Sequence, residues 1–203
     1  MPKYLMLDVD GVLVDGRPQD GQRWDHDLQR DLGLSPQDLA EAFFERDWAE
    51  IVVGKKDLLP ALSQSLAHIG AAVSAQALVD YWFRSDARIQ PEVLEDCRAA
   101  RRRGVSVYLT TNQEHMRAAY LMQDMGLRTE VDGILYSAKL GAKKPQAAFF
   151  SKAAEAIRAA PDDMLLVDDP SKNVEAAREA GWRAVHWDGR QRLAQVLQEG
   201  FGP

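Results

Sequence analysis

Five short apolar segments recur along the chain, and each is bounded by polar residues or glycine. They occupy positions 3–7, 105–109, 133–136, 164–167 and 183–187. Because these segments are mainly apolar and show no regular alternation with polar positions, they predict strands that are buried on both faces. Amphipathic stretches of helical length lie between and after them, at positions 91–103, 114–125, 145–159, 171–180 and 190–198.

The alternation of strands with helices predicts the fold class. Strand–helix–strand units favour an α/β fold with a doubly wound parallel sheet, because each crossover helix returns the chain to the same end of the sheet. Ligands of such sheets bind outside the carboxyl ends of the strands. We therefore expect functional side chains directly after the strands.

Residues 15–87 interrupt the alternation of strands and helices and contain no convincing strand. The stretch is too long for a structureless loop in a compact domain, so we expect a small helical domain inserted after the first strand. Ser35 followed by Pro36 predicts one helix start, and Ser74 predicts another. The predicted organisation is a core domain of residues 1–14 and 88–203, with a helical cap domain of residues 15–87.

Several side chains of the predicted cap domain have two interpretations. Tryptophans 24, 48 and 82 can stack on a sugar or base, but aromatic residues in a small helical unit more often form its core. Arg17, Lys55 and Lys56 can reach a polar substrate, although each alone is more typical of a solvated charge. The sequence favours core packing for the tryptophans and solvated charges for the three cations.

Composition and charge restrict the class of protein. Hydrophobic residues make up 46% of the chain and charged residues 28%, as in ordinary globular domains. No apolar run reaches the roughly 20 residues that a bilayer requires, and no signal peptide is recognisable, so we expect a cytoplasmic protein without a membrane partner. A net charge of −6 disfavours binding to the nucleic-acid backbone.

The carboxylates that follow the first strand are the first candidate site. Asp8 and Asp10 lie two residues apart, so in an extended chain their side chains share a face. Like charges this close are unfavourable unless a cation or a shared proton compensates, which indicates a metal site or a nucleophile–acid pair. A turn with exposed aspartates is the alternative when the motif is taken alone.

Two further segments carry groups that can bind an anion. Thr111 and Asn112 follow the second strand directly before a helix, where a hydroxyl and backbone N–H groups can bind phosphate oxygens or simply cap the helix. Lys144 precedes Pro145, which fixes the orientation of the lysine at a helix start, although a solvated lysine is the common alternative.

The fourth strand ends in Asp168 and Asp169. Two ionised carboxylates at the end of a buried strand are rarely explained by packing and indicate function. Successive strand ends thus carry carboxylates, a hydroxyl, an ammonium and again carboxylates. Since these ends meet at one edge of a parallel sheet, the sequence predicts a single converging site.

The motifs DVDG, LTTN, KKP and VDDPSKN occur in this order across most of the predicted core. In sequence and order they resemble the four motifs of the haloacid dehalogenase-like superfamily, and the inserted helices resemble its small helical (C1-type) cap. The layout and the stretch VDDPSKNVEAAREAGW are similar to the bacterial sugar-phosphatase branch that includes the N-terminal phosphatase domain of soluble epoxide hydrolases. Pro170 departs from the pattern, because these proteins more often carry a small polar residue there.

The resemblance implies a chemical role for the first motif. Asp8 would attack phosphorus to form an aspartyl-phosphate, and Asp10 would act as general acid and base. The true dehalogenases of the superfamily lack the second aspartate, so Asp10 favours phosphate transfer. The implied function is a magnesium-dependent phosphatase whose partner is a small phosphorylated metabolite, such as a sugar phosphate.

The same resemblance implies the ligands of phosphate and metal. The phosphoryl group would be held by Thr111, Asn112 and Lys144. Mg²⁺, which prefers oxygen ligands, would be bound by Asp169 with Asp168, by Asp8 and by the backbone carbonyl of Asp10.

Two other functions fit the same residues. A phosphomutase would use the same core but return the phosphate to a substrate held by the cap. A non-enzymatic phosphoacceptor switch, as in receiver domains, also combines aspartates, a hydroxyl and a lysine at a sheet edge, but such domains carry no helical insertion. The sequence carries no signal for the oligomeric state.

Overall fold

The computed structural model describes residues 2–200; Met1 and residues 201–203 of the predicted core domain lie outside the described residues. Parallel strands form one sheet in the order β3-β2-β1-β4-β5. The strands are β1 (Tyr4–Leu7), β2 (Ser106–Thr111), β3 (Gly133–Tyr136), β4 (Met164–Asp168) and β5 (Arg183–His186). The predicted α/β fold with a doubly wound parallel sheet is confirmed, with β1 at its centre.

The helices fall into an inserted group and a group that alternates with the strands. The inserted helices are α1 (Leu28–Leu32), α2 (Pro36–Leu39), α3 (Glu45–Ile51), α4 (Leu58–His68) and α5 (Ala75–Ser85). The others are α6 (Pro91–Arg102), α7 (His115–Gln123), α8 (Ser137–Leu140), α9 (Ala147–Ile157), α10 (Ser171–Glu179) and α11 (Leu193–Gly200). Within residues 2–200, no helix combines the length and hydrophobicity needed to cross a bilayer.

The central strand β1 is apolar because the sheet is covered on both faces. Leu5 and Leu7 of β1 pack in one hydrophobic cluster with residues of α6 and α11. Met6 points to the opposite face and packs with residues of α9 and α10. All three side chains are fully buried. Burial on both faces, expected for a parallel sheet, fixes the central strand and the residues that follow it.

Two strands extend further than the apolar pattern predicts. Strand β2 continues through Thr110 and Thr111, which pair with Leu135 and Tyr136 of β3. Strand β4 includes Asp168. The predicted boundaries were wrong by two residues and one residue, since the hydrogen-bonded ladder continues after the apolar residues end. The polar side chains of the site are consequently held by the sheet itself.

Residues 15–87 fold as helices and, within this range, contain no strand. The Ser35 side chain accepts a hydrogen bond from Asp38 N, and Ser74 accepts one from Ala77 N. Both predicted helix starts are confirmed. One π-helical turn (Ala40–Phe44) joins α2 to α3. The inserted helices enclose a hydrophobic cluster of their own, distinct from the two clusters that cover the sheet.

The three tryptophans of this segment pack against one another. Trp24 stacks on Trp82 with ring centroids 5.2 Å apart, and the rings of Trp48 and Trp82 lie 5.6 Å apart. Met116 and Tyr120 of α7 pack against the same cluster. The tryptophans therefore form part of the core of the inserted helices and contribute to the cluster that packs against α7.

The chain enters and leaves the inserted segment through two paired linkers. Asp15 N donates to Arg88 O at 3.0 Å, and Arg88 N donates to Gly16 O at 3.1 Å. Gln90 N donates to Leu13 O at 2.8 Å. The two crossings thus lie side by side, directly beyond the end of β1.

Arg17 and Lys56 differ from the solvated charges that the sequence predicts. Arg17 is only 5% exposed, and its guanidinium donates to the carboxylates of Asp20 and Asp27. The Lys56 ammonium donates to the buried carboxylate of Asp47. Both cations therefore stabilise the inserted segment, whereas Lys55 is exposed.

Candidate active site

Asp8 lies directly after β1, and the sheet still fixes its backbone. Its N–H donates to Val167 O of β4 at 3.0 Å. The chain then turns back sharply, because the N–H groups of residues 12–14 all donate to Val9 O at 2.8–3.2 Å. Asp8 and Asp10 therefore occupy a tight, hydrogen-bonded turn at the carboxyl edge of the sheet.

Lys144 bridges the carboxylates of two different strands. Its ammonium lies 3.0 Å from Asp8 Oδ1 and donates to Asp168 Oδ2 and to Thr110 O. All of these groups are buried. The structure thus brings the first, second, third and fourth predicted motifs together, with a buried ammonium at their centre.

Asp168 and Asp169 differ in their surroundings. Both oxygens of Asp168 accept hydrogen bonds, one from Lys144 and one from Asn173 Nδ2 at 2.9 Å. Asp169 is less buried. One oxygen each of Asp8, Asp168 and Asp169 lie within 4.8 Å of one another.

This carboxylate group fits a hard divalent cation. Three carboxylates and the Lys144 ammonium carry a net charge of −2 when all are ionised, which one divalent ion neutralises. Mg²⁺ prefers such oxygen ligands. Gly11 keeps the space beside Asp169 open, since a Cβ at this residue would lie 2.8 Å from Asp169 Oδ2. The side chain of Asp10 is not a member of this group.

The electrostatics of the group follow from its burial. Burial, reinforced by the neighbouring Asp168 carboxylate, raises the pKa of Asp8 to about 7 although Lys144 opposes the shift. Burial disfavours the charged ammonium of Lys144, but Asp8 and Asp168 outweigh it and raise the pKa of this lysine. Lys144 therefore stays charged, and the uncompensated negative charge remains on the carboxylates.

Thr111 and Asn112 use their side chains differently. Thr111 is almost completely buried, and no group within residues 2–200 shares a hydrogen bond with its hydroxyl. Asn112 Nδ2 donates to Lys144 O at 3.0 Å, and its Oδ1 accepts from Lys144 N at 2.8 Å. The Asn112 side chain thus holds the backbone of Lys144, whereas the Thr111 hydroxyl remains available.

Asp10 has a hydrogen-bond partner that sequence reasoning missed. Gln113 Nε2 donates to Asp10 Oδ2 across 103 positions of sequence. Desolvation by the surrounding protein and repulsion from Asp86 raise the pKa of Asp10 to about 6, even though the residue as a whole is exposed. The only signal in the sequence is the position of Gln113, directly after LTTN.

The raised pKa of Asp8 predicts how the metal-free protein responds to pH. A carboxyl whose pKa rises from 3.8 when unfolded to about 7 when folded destabilises the fold above pH 7, and this cost disappears below pH 4. Metal-free Asp8→Asn is therefore expected to be more stable than wild type above neutral pH. The advantage should shrink steadily on acidification. Urea unfolding of both proteins across this pH range tests the prediction, and a pH-independent difference would contradict it.

The amino-acid sequence of the chain is similar to those of known hydrolases. Residues 2–181 match the sequence pattern of the haloacid dehalogenase-like hydrolases. A phosphatase of Mycobacterium tuberculosis is 30% identical over 193 residues, covering 89% of this chain and 84% of the relative. A phosphoglycolate phosphatase of Pseudomonas putida is 28% identical over 196 residues, covering 91% of this chain and 69% of the relative.

A solved structure shares the fold. It is a HAD family enzyme of Bacteroides thetaiotaomicron, crystallised in complex with magnesium and inorganic phosphate. The TM-score is 0.80 at 18% sequence identity, over 97% of this chain and 99% of the other. The similarity extends across the α/β sheet and the inserted helices alike.

Proposed function

Because the chain belongs to the haloacid dehalogenase-like hydrolase family, we propose that it is a Mg²⁺-dependent phosphatase of small phosphate monoesters. The observation that carries this proposal is the buried Lys144 ammonium between Asp8 and Asp168, with Asp169 beside them. Such a site combines a nucleophile, a fixed cation and a set of oxygen ligands for a metal. Phosphate transfer through an aspartyl-phosphate can use all three.

Asp8 and Asp10 carry the chemical steps of the proposed reaction. A carboxylate oxygen of Asp8 forms a bond to phosphorus while the bond from phosphorus to the substrate oxygen breaks, and Asp10 donates a proton to that oxygen. Asp10 then accepts a proton from a water that attacks the aspartyl-phosphate. Inorganic phosphate leaves, and the Asp8 carboxylate is restored.

The proposed metal ligands are Asp8, the backbone carbonyl of Asp10, and Asp169 with Asp168. Asp169 has the more accessible carboxylate, whereas Asp168 is held by Lys144 and Asn173. Asp168 therefore also orients the ammonium. When bound, Mg²⁺ supplies positive charge that lets two anions, the nucleophile and the phosphate, approach each other.

The phosphoryl group is held, in this proposal, by the Thr111 hydroxyl and the Lys144 ammonium. Asn112 contributes by clamping the backbone of Lys144 through its side-chain amide. The substrate is a small phosphorylated metabolite, such as a sugar phosphate or a phosphorylated acid like phosphoglycolate. The phosphoglycolate phosphatase among the relatives supports including the second class.

We also propose that residues 15–87 form the cap domain and that residues 1–14 with 88–203 form the core. The separate hydrophobic cluster of the inserted helices and the paired linkers support this division. A cap above the carboxyl edge excludes water from the reaction and contacts the part of the substrate beyond its phosphate.

The proposal predicts a strict metal requirement. Phosphate release from p-nitrophenyl phosphate, sugar phosphates and phosphoglycolate should occur with Mg²⁺, stop with excess chelator and return when Mg²⁺ is restored. An all-oxygen site binds Mg²⁺ by its geometry and charge, so removal is expected to be reversible. Full activity in the chelated sample would refute the metal assignment.

A phosphomutase remains the alternative that uses the same residues. It would convert one phosphorylated isomer into another and release little phosphate. Monitoring the substrate and its isomers by ³¹P NMR in the same assay separates the two reactions. A phosphoacceptor switch would instead take up about one phosphoryl group per chain and stop.

A further inference from the structure

Gln113 is a buried amide next to the proposed proton carrier, and no step described so far uses it. Only 4% of the residue is exposed. Its Nε2 donates to Oδ2 of Asp10, so this carboxylate oxygen is tied to the core. The bond joins the turn after β1 to the residue that follows the LTTN motif, and Gln113 itself belongs to none of the four motifs.

The backbone of Gln113 is fixed as firmly as its side chain. Its carbonyl accepts a hydrogen bond from Ala138 N at 3.1 Å. The next residue, Glu114, caps α7 by accepting from Met116 N and Arg117 N. The amide is therefore presented to Asp10 from a rigid segment, which is what orienting a catalytic side chain requires.

Ser137 connects this segment to the inserted helices. Its Oγ lies 2.5 Å from Val52 O and 3.1 Å from Gln113 O, so its single proton is offered to two carbonyls. A Cβ on Gly54 would lie 2.5 Å from Ala138 O, which shows how closely this loop approaches the core. The loop at residues 52–54 thus packs directly against Ser137 and Ala138, the residues that hydrogen-bond to the Gln113 carbonyl.

We propose that Gln113 is a positioning residue that holds Asp10 in the orientation needed for proton transfer. In this proposal, Ser137 couples that orientation to the packing of the inserted helices against the core. The inference rests on the proposed function. An amide N–H bonded to Oδ2 leaves Oδ1 as the oxygen that carries the proton. Fixing one oxygen therefore fixes the direction in which the other faces the substrate or the attacking water.

The two chemical steps respond differently when Asp10 loses its orientation. An activated ester such as p-nitrophenyl phosphate has a good leaving group, so phosphorylation of Asp8 needs little help from an acid. Rapid hydrolysis of the aspartyl-phosphate depends on Asp10 as base whichever ester supplied the phosphate. Misplacing Asp10 therefore slows the second step, and the phosphorylated protein accumulates.

The test is rapid-mixing kinetics of Gln113→Met with p-nitrophenyl phosphate and Mg²⁺. We expect a burst of about one nitrophenol per site and a steady-state rate lower by about 10- to 100-fold, with KM lowered in parallel so that kcat/KM stays within about threefold of wild type. Glycerol phosphate, a poor-leaving-group ester, should lose turnover to a similar extent without a burst. Ser137→Ala should show the same signature with a smaller loss.

Gln76→Met is the matched control, because Gln76 also donates its amide to a carboxylate, that of Asp80, but on the exposed surface of α5. It should behave as wild type. An equal loss of the burst rate and of the steady-state rate per site in Gln113→Met, or no loss in either rate, would overturn the inference. Absence of phosphate release from wild type would instead overturn the proposed function.

The burst amplitude counts competent sites, so a partly folded preparation still gives both rates per site. Gln113→Asn provides a second variant, since it keeps the amide but shortens the side chain by one methylene and moves the donor away from Asp10. The same burst with slow turnover supports the inference. Wild-type turnover in this variant counts against it.

Discussion

Asp8→Asn is expected to reduce phosphate release to the background of the assay. The substitution keeps the shape of the side chain but removes the anionic oxygen that attacks phosphorus, and an amide is a far weaker nucleophile. The amide also removes one charged ligand of the proposed metal. Because Asp8 is held by the sheet through Val167 O, the fold around it should persist.

Asp10→Asn should fail at a different step. It keeps the nucleophile but has no group that can give or take the proton, so an activated ester should still phosphorylate Asp8 slowly. Intact-protein mass spectrometry after mixing should then show one added phosphoryl group on Asp10→Asn and none on Asp8→Asn. The difference between the two variants assigns the nucleophile and the proton carrier separately.

The exposed Asp162 provides a control for these substitutions. Asp162→Asn makes the same chemical change outside the site and should leave turnover as in wild type. If Asp8→Asn retained near wild-type turnover, Asp8 could not be the nucleophile. A phosphorylated Asp8→Asn would point to the same conclusion.

Lys144→Met should have the second largest effect, on both activity and stability. The ammonium lies between Asp8 and Asp168, and its loss leaves two buried carboxylates without a counter-charge. Breaking a buried ion pair by removing one partner typically costs about 3–5 kcal/mol of unfolding free energy. Turnover should fall by at least about 100-fold, since a fixed charge at the phosphate is lost.

Urea unfolding of metal-free Lys144→Met and Lys143→Met measures the stability effect. Lys143 is the neighbouring lysine, is partly exposed and takes part in no ion pair within residues 2–200, so its substitution should change stability little. Mild acid should partly restore Lys144→Met, because protonation removes the unpaired charges. Equal stability of the two variants would mean that the buried ammonium does not balance the carboxylates.

The sequence predicted the positions of the strands because a parallel sheet buries both faces of its central strands, which are therefore mainly apolar. Gly133–Tyr136 agrees with the predicted third strand at both ends. The capping serines were equally visible, since their effect is local. Convergence of Asp8 and Asp168 followed from one topological rule, that parallel strands end at a common edge, whereas Lys144 lies eight residues beyond the end of β3, in the loop after α8.

The features that the sequence did not reveal depend on contacts between distant segments. Arg17 looked like a solvated charge, because the carboxylates that surround it come together only in the folded linker. The four-residue helix α8 is too short to show a period. Gln113 carries no pattern of its own, and its partner Asp10 lies on another strand end. The same holds for Asn112, whose bonds to Lys144 require the third motif to fold beside the second.

The paired linkers have a consequence for how this protein can diversify. Because residues 14–16 and 88–90 run beside each other, the inserted segment begins and ends at one place on the core. Its removal or replacement would need only a short turn to rejoin β1 with α6. The intervening helices can thus be exchanged as one unit without interrupting the strands of the sheet. Under the proposed function, grafting the equivalent segment of a relative between these linkers should change substrate choice where the contacts of residues 52–54 with Ser137 and Ala138 are kept.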